Sequence, residues 1–113
     1  MHALDTSNAA SEAANPPKDR IVSGDPQAVV RLGYASPDGK FSAGTWTCTP
    51  GRWRVQYDEV EYCRILSGKG AVIDADGRAH PIKPGDEFVI PAGFVGEWSV
   101  EEEMTKTWVI VLP

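Results

Sequence analysis

From Phe41 to the C-terminus, Gly and Pro cut the chain into short branched or alternating runs, and no stretch carries a helical stripe of useful length. Thr45-Trp46-Thr47-Cys48 runs into Thr49-Pro50-Gly51, and Trp53 to Tyr57 alternates aromatic or branched with polar residues. Tyr62 to Leu66 ends at Ser67-Gly68-Lys69-Gly70, read as a turn. Asp76-Gly77 favours a tight hairpin between Ala71–Asp74 and Ala79–Ile82. Pro84-Gly85-Asp86 and Pro91-Ala92-Gly93 bracket Glu87–Ile90, and Thr105 to Leu112 forms the last strand. Such a pattern predicts an all-β sandwich or barrel.

Upstream, Ile21-Val22 and Ala28–Leu32 read as short edge strands separated by Gly24-Asp25-Pro26. Residues 1–20 are rich in Ala, Ser and Asn, with little apolar area to offset the entropy of ordering. They are read as a mobile arm; the alternative is an arm draped over a partner subunit. Residues 21–113 then make one domain, with little room for a second core.

Parity assigns faces. Val55 and Tyr57 share one, and so do Glu61, Cys63 and Ile65, which sends Arg64 outward. Gly96, Trp98 and Val100 share another, and Lys106 has the parity of Trp108. The acidic runs Asp58-Glu59-Val60-Glu61 and Glu101-Glu102-Glu103 read mainly as solvated turns, Glu61 apart.

Charge and composition exclude several classes. With 11 basic against 16 acidic residues, a net charge of -5, and basic residues scattered, there is no nucleic-acid footprint. No apolar stretch approaches membrane length and no apolar leader opens the chain, so no membrane partner and a cytoplasmic location are expected. Cys48 and Cys63 are too few for a disulfide scaffold or zinc site and read as a reduced, partly buried pair. No Gly-rich loop joins a strand to a helix as phosphate binding requires.

The spacing of turn residues resembles the cupin superfamily, whose metal-binding members carry two motifs. The first runs Gly, five residues, His-x-His, three or four residues, Glu, six residues, Gly. Glu61 and Gly68 keep its gap, which puts its two His positions at Val55 and Tyr57, while the opening Gly is displaced to Gly51. The second runs Gly, five residues, Pro-x-Gly, two residues, His, three residues, Asn. Gly85, Pro91 and Gly93 fit it, but its His and Asn positions hold Gly96 and Val100. The runs Gly44–Gly51, Glu61–Gly68 and Pro84–Trp98 are similar to small single-domain cupins related to ureidoglycine aminohydrolase and to ethanolamine-utilisation cupins. This resemblance covers about residues 41 to 112. It implies a double-stranded β-helix, the jelly-roll barrel, preceded by the flexible arm. It also implies pairing into a homodimer, which would protect sheet edges. One carboxylate is too small a donor set for a transition metal, so no metal or other cofactor is expected; the alternative is an unusual set of Glu61 with Tyr57 and Cys63.

Glu61 is the first candidate, as a ligand contact or a general acid or base. Its parity points it inward; the alternative leaves it at the rim, hydrated or paired with Arg52 or Arg54. Tyr57 either donates to a ligand or satisfies Glu61. Lys106 either enters the cavity and pairs with Glu61, assisting it, or faces outward. Of the four tryptophans, at least two are expected in the core, with Trp98 the best pocket wall and Trp108 beside it. Gly96 is expected to leave the space a histidine would fill. Cys63 shares the face of Glu61 and reads as a buried thiol or a further ligand contact. His80 and His2 replace no missing ligand.

Three functions follow. The first is a metal-free barrel that binds an unidentified small molecule. The second is an enzyme on a small nitrogenous or carbohydrate-like substrate, with Glu61 as acid or base and Tyr57 and Lys106 assisting. The third is a solid structural module that dimerises.

Overall fold

The computed structural model describes residues Met1–Pro113. Nine strands follow in order: β1 (Ser11–Ala13), β2 (Ile21–Gly24), β3 (Ala28–Ala35), β4 (Phe41–Cys48), β5 (Gly51–Gln56), β6 (Val60–Asp74), β7 (Ala79–Ile82), β8 (Glu87–Ile90) and β9 (Val95–Val111). A 3-10 turn, Lys18–Arg20, is the one helical element, and no helix is long and apolar enough to cross a membrane. All pairings are antiparallel.

Two long strands organise the barrel. Along one edge, β9 pairs with β5 through Val95–Val100 and with β4 through Met104–Val111. Its other edge meets β6 over nearly its whole length. In turn, the free edge of β6 carries β8 beside Glu61–Arg64 and β7 beside Gly70–Ile73. One sheet is therefore β1-β3-β4-β9-β6-β8 and the other β2-β5-β9-β6-β7, with β6 and β9 shared. This is the expected jelly-roll barrel.

The crossing corrects one expectation. Ser67-Gly68-Lys69-Gly70 does not turn the chain back; β6 runs through it with register shifts from Ile65 to Gly70. A bulge bends a strand and raises its twist, which is how one strand leaves one sheet for the other. Gly68 makes it possible, with φ at 93° and a Cβ position only 2.4 Å from the Glu103 carbonyl oxygen. Opposite, Glu101–Glu103 are exposed as expected, but inside β9 rather than in a turn. The Asp76-Gly77 hairpin forms between β6 and β7, with Gly77 at φ 85°.

Residues 1–20, whose composition predicts a mobile arm, lie along their own barrel. Ser11–Ala13 pairs with β3, so β3 is no edge strand. The Asn15 carboxamide accepts from the Ala28 N–H at 2.7 Å and donates to the Gln27 side chain. Farther out, His2 donates to the Gly33 carbonyl and Thr6 shares a hydrogen bond with Thr45. Backbone and amide pairing, rather than apolar burial, hold this segment, which is why composition did not reveal it.

The core fills the space between the sheets. Cys48, Cys63, Ile65, Trp98, Val100 and Met104 are almost wholly enclosed.

Candidate functional site

Alternation along β6 turns Glu61, Cys63 and Ile65 inward and Tyr62 and Arg64 outward. Register then settles Lys106. Cys63 faces Trp108 and Ile65 faces Lys106 across the β6–β9 ladder, so Lys106 and Trp108 are interior residues. From there the Lys106 ammonium reaches back along β6 and donates to Glu61 Oε2 at 3.0 Å. It lies 3.6 Å from Cys63 Sγ. Tyr57 follows β5, its backbone pinned by a bond from its N–H to the Phe94 carbonyl and one from the Gly93 N–H to its own carbonyl. Its hydroxyl donates to Glu61 Oε1 at 2.7 Å and accepts from Trp98 Nε1 at 3.1 Å. The donors thus converge: Trp98 to Tyr57, Tyr57 to Glu61, Lys106 to Glu61.

The Glu61 and Lys106 side chains are each only 6% exposed. Removing two charges from water is expensive, and their attraction offsets it only when remaining polar atoms are also satisfied. Tyr57 meets that condition on the carboxylate. On the ammonium, the faces of Trp98 and Trp46 complete the shell, with ring centroids 4.2 and 4.6 Å away. Burial, and then the neighbouring Glu61 charge, push the Tyr57 phenol well above its usual range, so it remains a hydrogen-bond donor. The Trp108 indole N–H is enclosed without an acceptor.

Above this cluster is a cavity of about 270 Å³, walled by Trp46, Trp53, Trp98 and Trp108 with Val55 and Ile110, and with Tyr57, Glu61 and Lys106 on its lining. That volume is near the lower end for small-molecule sites, and a mostly apolar wall with a few convergent polar groups is their usual composition. The cavity opens to a wider mouth bordered by residues 14–17, Arg20, Arg54, Gln56 and Glu59.

Glu61, Tyr57, Lys106, Trp98 and Trp108 are brought together, and two other expectations are corrected. Cys63 does not line the cavity, for it is fully enclosed behind Lys106. Gly96 keeps the inward register opposite Val55, yet it leaves no space in the cavity. A Cβ there would sit 2.1 Å from the Ile73 carbonyl oxygen and 2.8 Å from the Phe94 ring. Phe94 takes the volume that a histidine would need, and its ring meets Tyr57 edge-on. Sequence reasoning did not single out Trp46, Trp53, Phe94, Arg20 or Arg54 for the site. Trp46 and Trp53 carried a signal in their residue type, but their convergence depends on strand register.

Burial pushes both thiols up, from about 9 to about 12 for Cys48 and for Cys63. These acids are harder to ionise folded than unfolded. Their contribution to stability is therefore complete below about pH 9 and is lost as pH climbs toward about 12. Alkaline titration of the urea midpoint should show this fall, and Cys63→Ala should make it shallower, leaving the share of Cys48. An unchanged slope in that variant would show that the thiol is not the group responsible.

The positions that hold metal in the resembling cupins do not fit a metal here. Val55 and Gly96 offer no donor, and both oxygens of Glu61 are engaged by Tyr57 and Lys106. The fold gathers no group of three His, Cys, Asp or Glu side chains suited to a metal. An ammonium stands beside the one remaining carboxylate.

Comparison with known proteins agrees on the architecture. The family model described as EutQ-like cupin domain matches residues 35–108. Among solved structures, a DUF861-family protein of unknown function from Pseudomonas syringae pv. tomato superposes with a TM-score of 0.83 at 18% identity. It covers 96% of this chain, while this chain spans only 46% of that one. The Clostridium difficile EutQ protein gives a TM-score of 0.67 at 17% identity, over 87% of this chain and 73% of its own. Ectoine synthase from P. lautus gives 0.66 at 21%, over 86% and 71%. At these identities the likeness shows the fold. No curated protein sequence matches significantly.

Proposed function

The chain belongs to the EutQ-like cupin domain family, and from that premise we propose that it is a metal-independent barrel binding a small organic molecule between its tryptophans. One observation carries this reading: the carboxylate at the glutamate position of metal-binding cupins is engaged on both oxygens by the chain's own Tyr57 and Lys106 beneath an open aromatic cavity. The polar groups form a closed, neutral unit, so the free surface offered to a ligand is mainly indole. Aromatic walls hold flat or apolar bodies through area burial and stacking.

The test is a panel of small aromatic and heteroaromatic compounds, read by tryptophan fluorescence and by thermal shift. Saturable quenching with a raised Tm is expected, together with no stoichiometric uptake of added manganese or zinc. Stoichiometric metal in the wild type, lost in Glu61→Gln, would overturn the metal-independent reading.

The same trio supports a second reading, an acid–base enzyme on a small nitrogenous or carbohydrate-like substrate. A substrate atom displacing Tyr57 or Lys106 would meet a desolvated carboxylate within hydrogen-bond reach. Glu61→Gln would then retain binding but lose turnover. A solid structural module is the least supported reading, because the interior is open.

A further inference from the structure

Resting on the binding reading above, we infer that the ligand joins a flat apolar body to an anionic end, and that Arg20 and Arg54 receive the anion at the cavity mouth. Charge inside the barrel is already balanced, one ammonium against one carboxylate at 3.0 Å. A second charge placed there would be desolvated without a partner. The charged end of a ligand must therefore lie outside the tryptophan walls.

The mouth provides for it. Trp46, Trp53, Tyr57 and Glu61 border both the inner cavity and the outer depression, so the two are continuous. Arg20 and Arg54 sit on the outer rim with Glu59, while Glu61 at its floor is already paired with Lys106. Neither arginine is in an ion pair, whereas neighbouring Arg52 is paired with Glu97. Arg54 is also positioned, because it donates through Nη2 to the Asp19 backbone carbonyl at 2.7 Å. Asp19 itself borders the adjoining depression rather than the mouth. With Glu61 balanced by Lys106, two guanidiniums against the Glu59 carboxylate leave the rim positive on a chain whose net charge is -5. A guanidinium fork suits a carboxylate, which it binds through two parallel N–H donors.

The experiment compares 3-phenylpropionate with its neutral amide by calorimetry, on the wild type, Arg20→Met, Arg54→Met and the double variant. The carboxylate is expected to bind about tenfold more tightly than the amide, an advantage that shrinks in high salt. The double variant should erase that advantage and leave amide affinity unchanged. Equal binding of the two probes by the wild type, or a preference that survives in the double variant, overturns the inference while the binding barrel stands. Binding of neither probe removes the barrel reading itself, and this inference with it.

Discussion

Lys106→Met is expected to lower folding stability by about 3–5 kcal/mol, the usual result of stripping a buried ion of its partner. Methionine replaces most of the stem and leaves Glu61, 5% exposed, with a single donor from Tyr57. No other cation is bonded to it, since Arg52 pairs with Glu97 and Arg54 donates to the Asp19 carbonyl. Pairing Lys106→Met with Glu61→Gln should recover much of the loss, because the double variant holds no buried charge. Urea denaturation of the wild type, the two single variants and the double variant closes a double-mutant cycle. A coupling near zero would mean that the pair is not the structural unit described above.

Trp98→Ala is expected to cost a similar amount, about 3–5 kcal/mol, for a different reason. Its indole is 2% exposed, packs against Trp46 and Phe88, and orients Tyr57 through its N–H. Truncation opens a void in a core that can collapse only partly, and it removes one aromatic face from the Lys106 ammonium. Trp98→Phe separates the effects, keeping most of the bulk while deleting the hydrogen bond. It should cost about 1 kcal/mol, the net worth of one ordinary hydrogen bond. Thermal and chemical denaturation of both variants checks the ranking. An alanine variant no less stable than the phenylalanine one would show that packing at this position contributes little.

Much of this arrangement was legible in the sequence because strand parity needs only the alternation itself. It turned Glu61, Cys63 and Ile65 to one face correctly and placed Lys106 with Trp108. Parity with Cys63 and Ile65 already pointed Glu61 inward, but whether Lys106 faced the same interior depended on pairing across β6 and β9, a long-range relation no local pattern records. The Gly68 bulge was mistaken for a turn because both use the same residues for the same backbone freedom. Gly96 misled for a related reason: a missing side chain implies room only when no neighbour fills it, and Phe94 does. The first twenty residues are held by backbone amides and Asn15, which leave no hydrophobic signature. Arg20 joins Arg54 at the border of the mouth because that same segment packs beside β5.

Because β6 and β9 belong to both sheets, neither sheet can assemble and wait for the other. The ladder that joins them pairs residues as far apart in sequence as Val60 and Val111, so its entropy of loop closure falls early in folding, before most of the stabilising contacts exist. Formation and loss of the barrel are consequently one cooperative event. The same shared strands tie the two sheets together in the native state, so the way into the interior is the mouth beside Trp46 and Trp53 rather than a parting of the sheets.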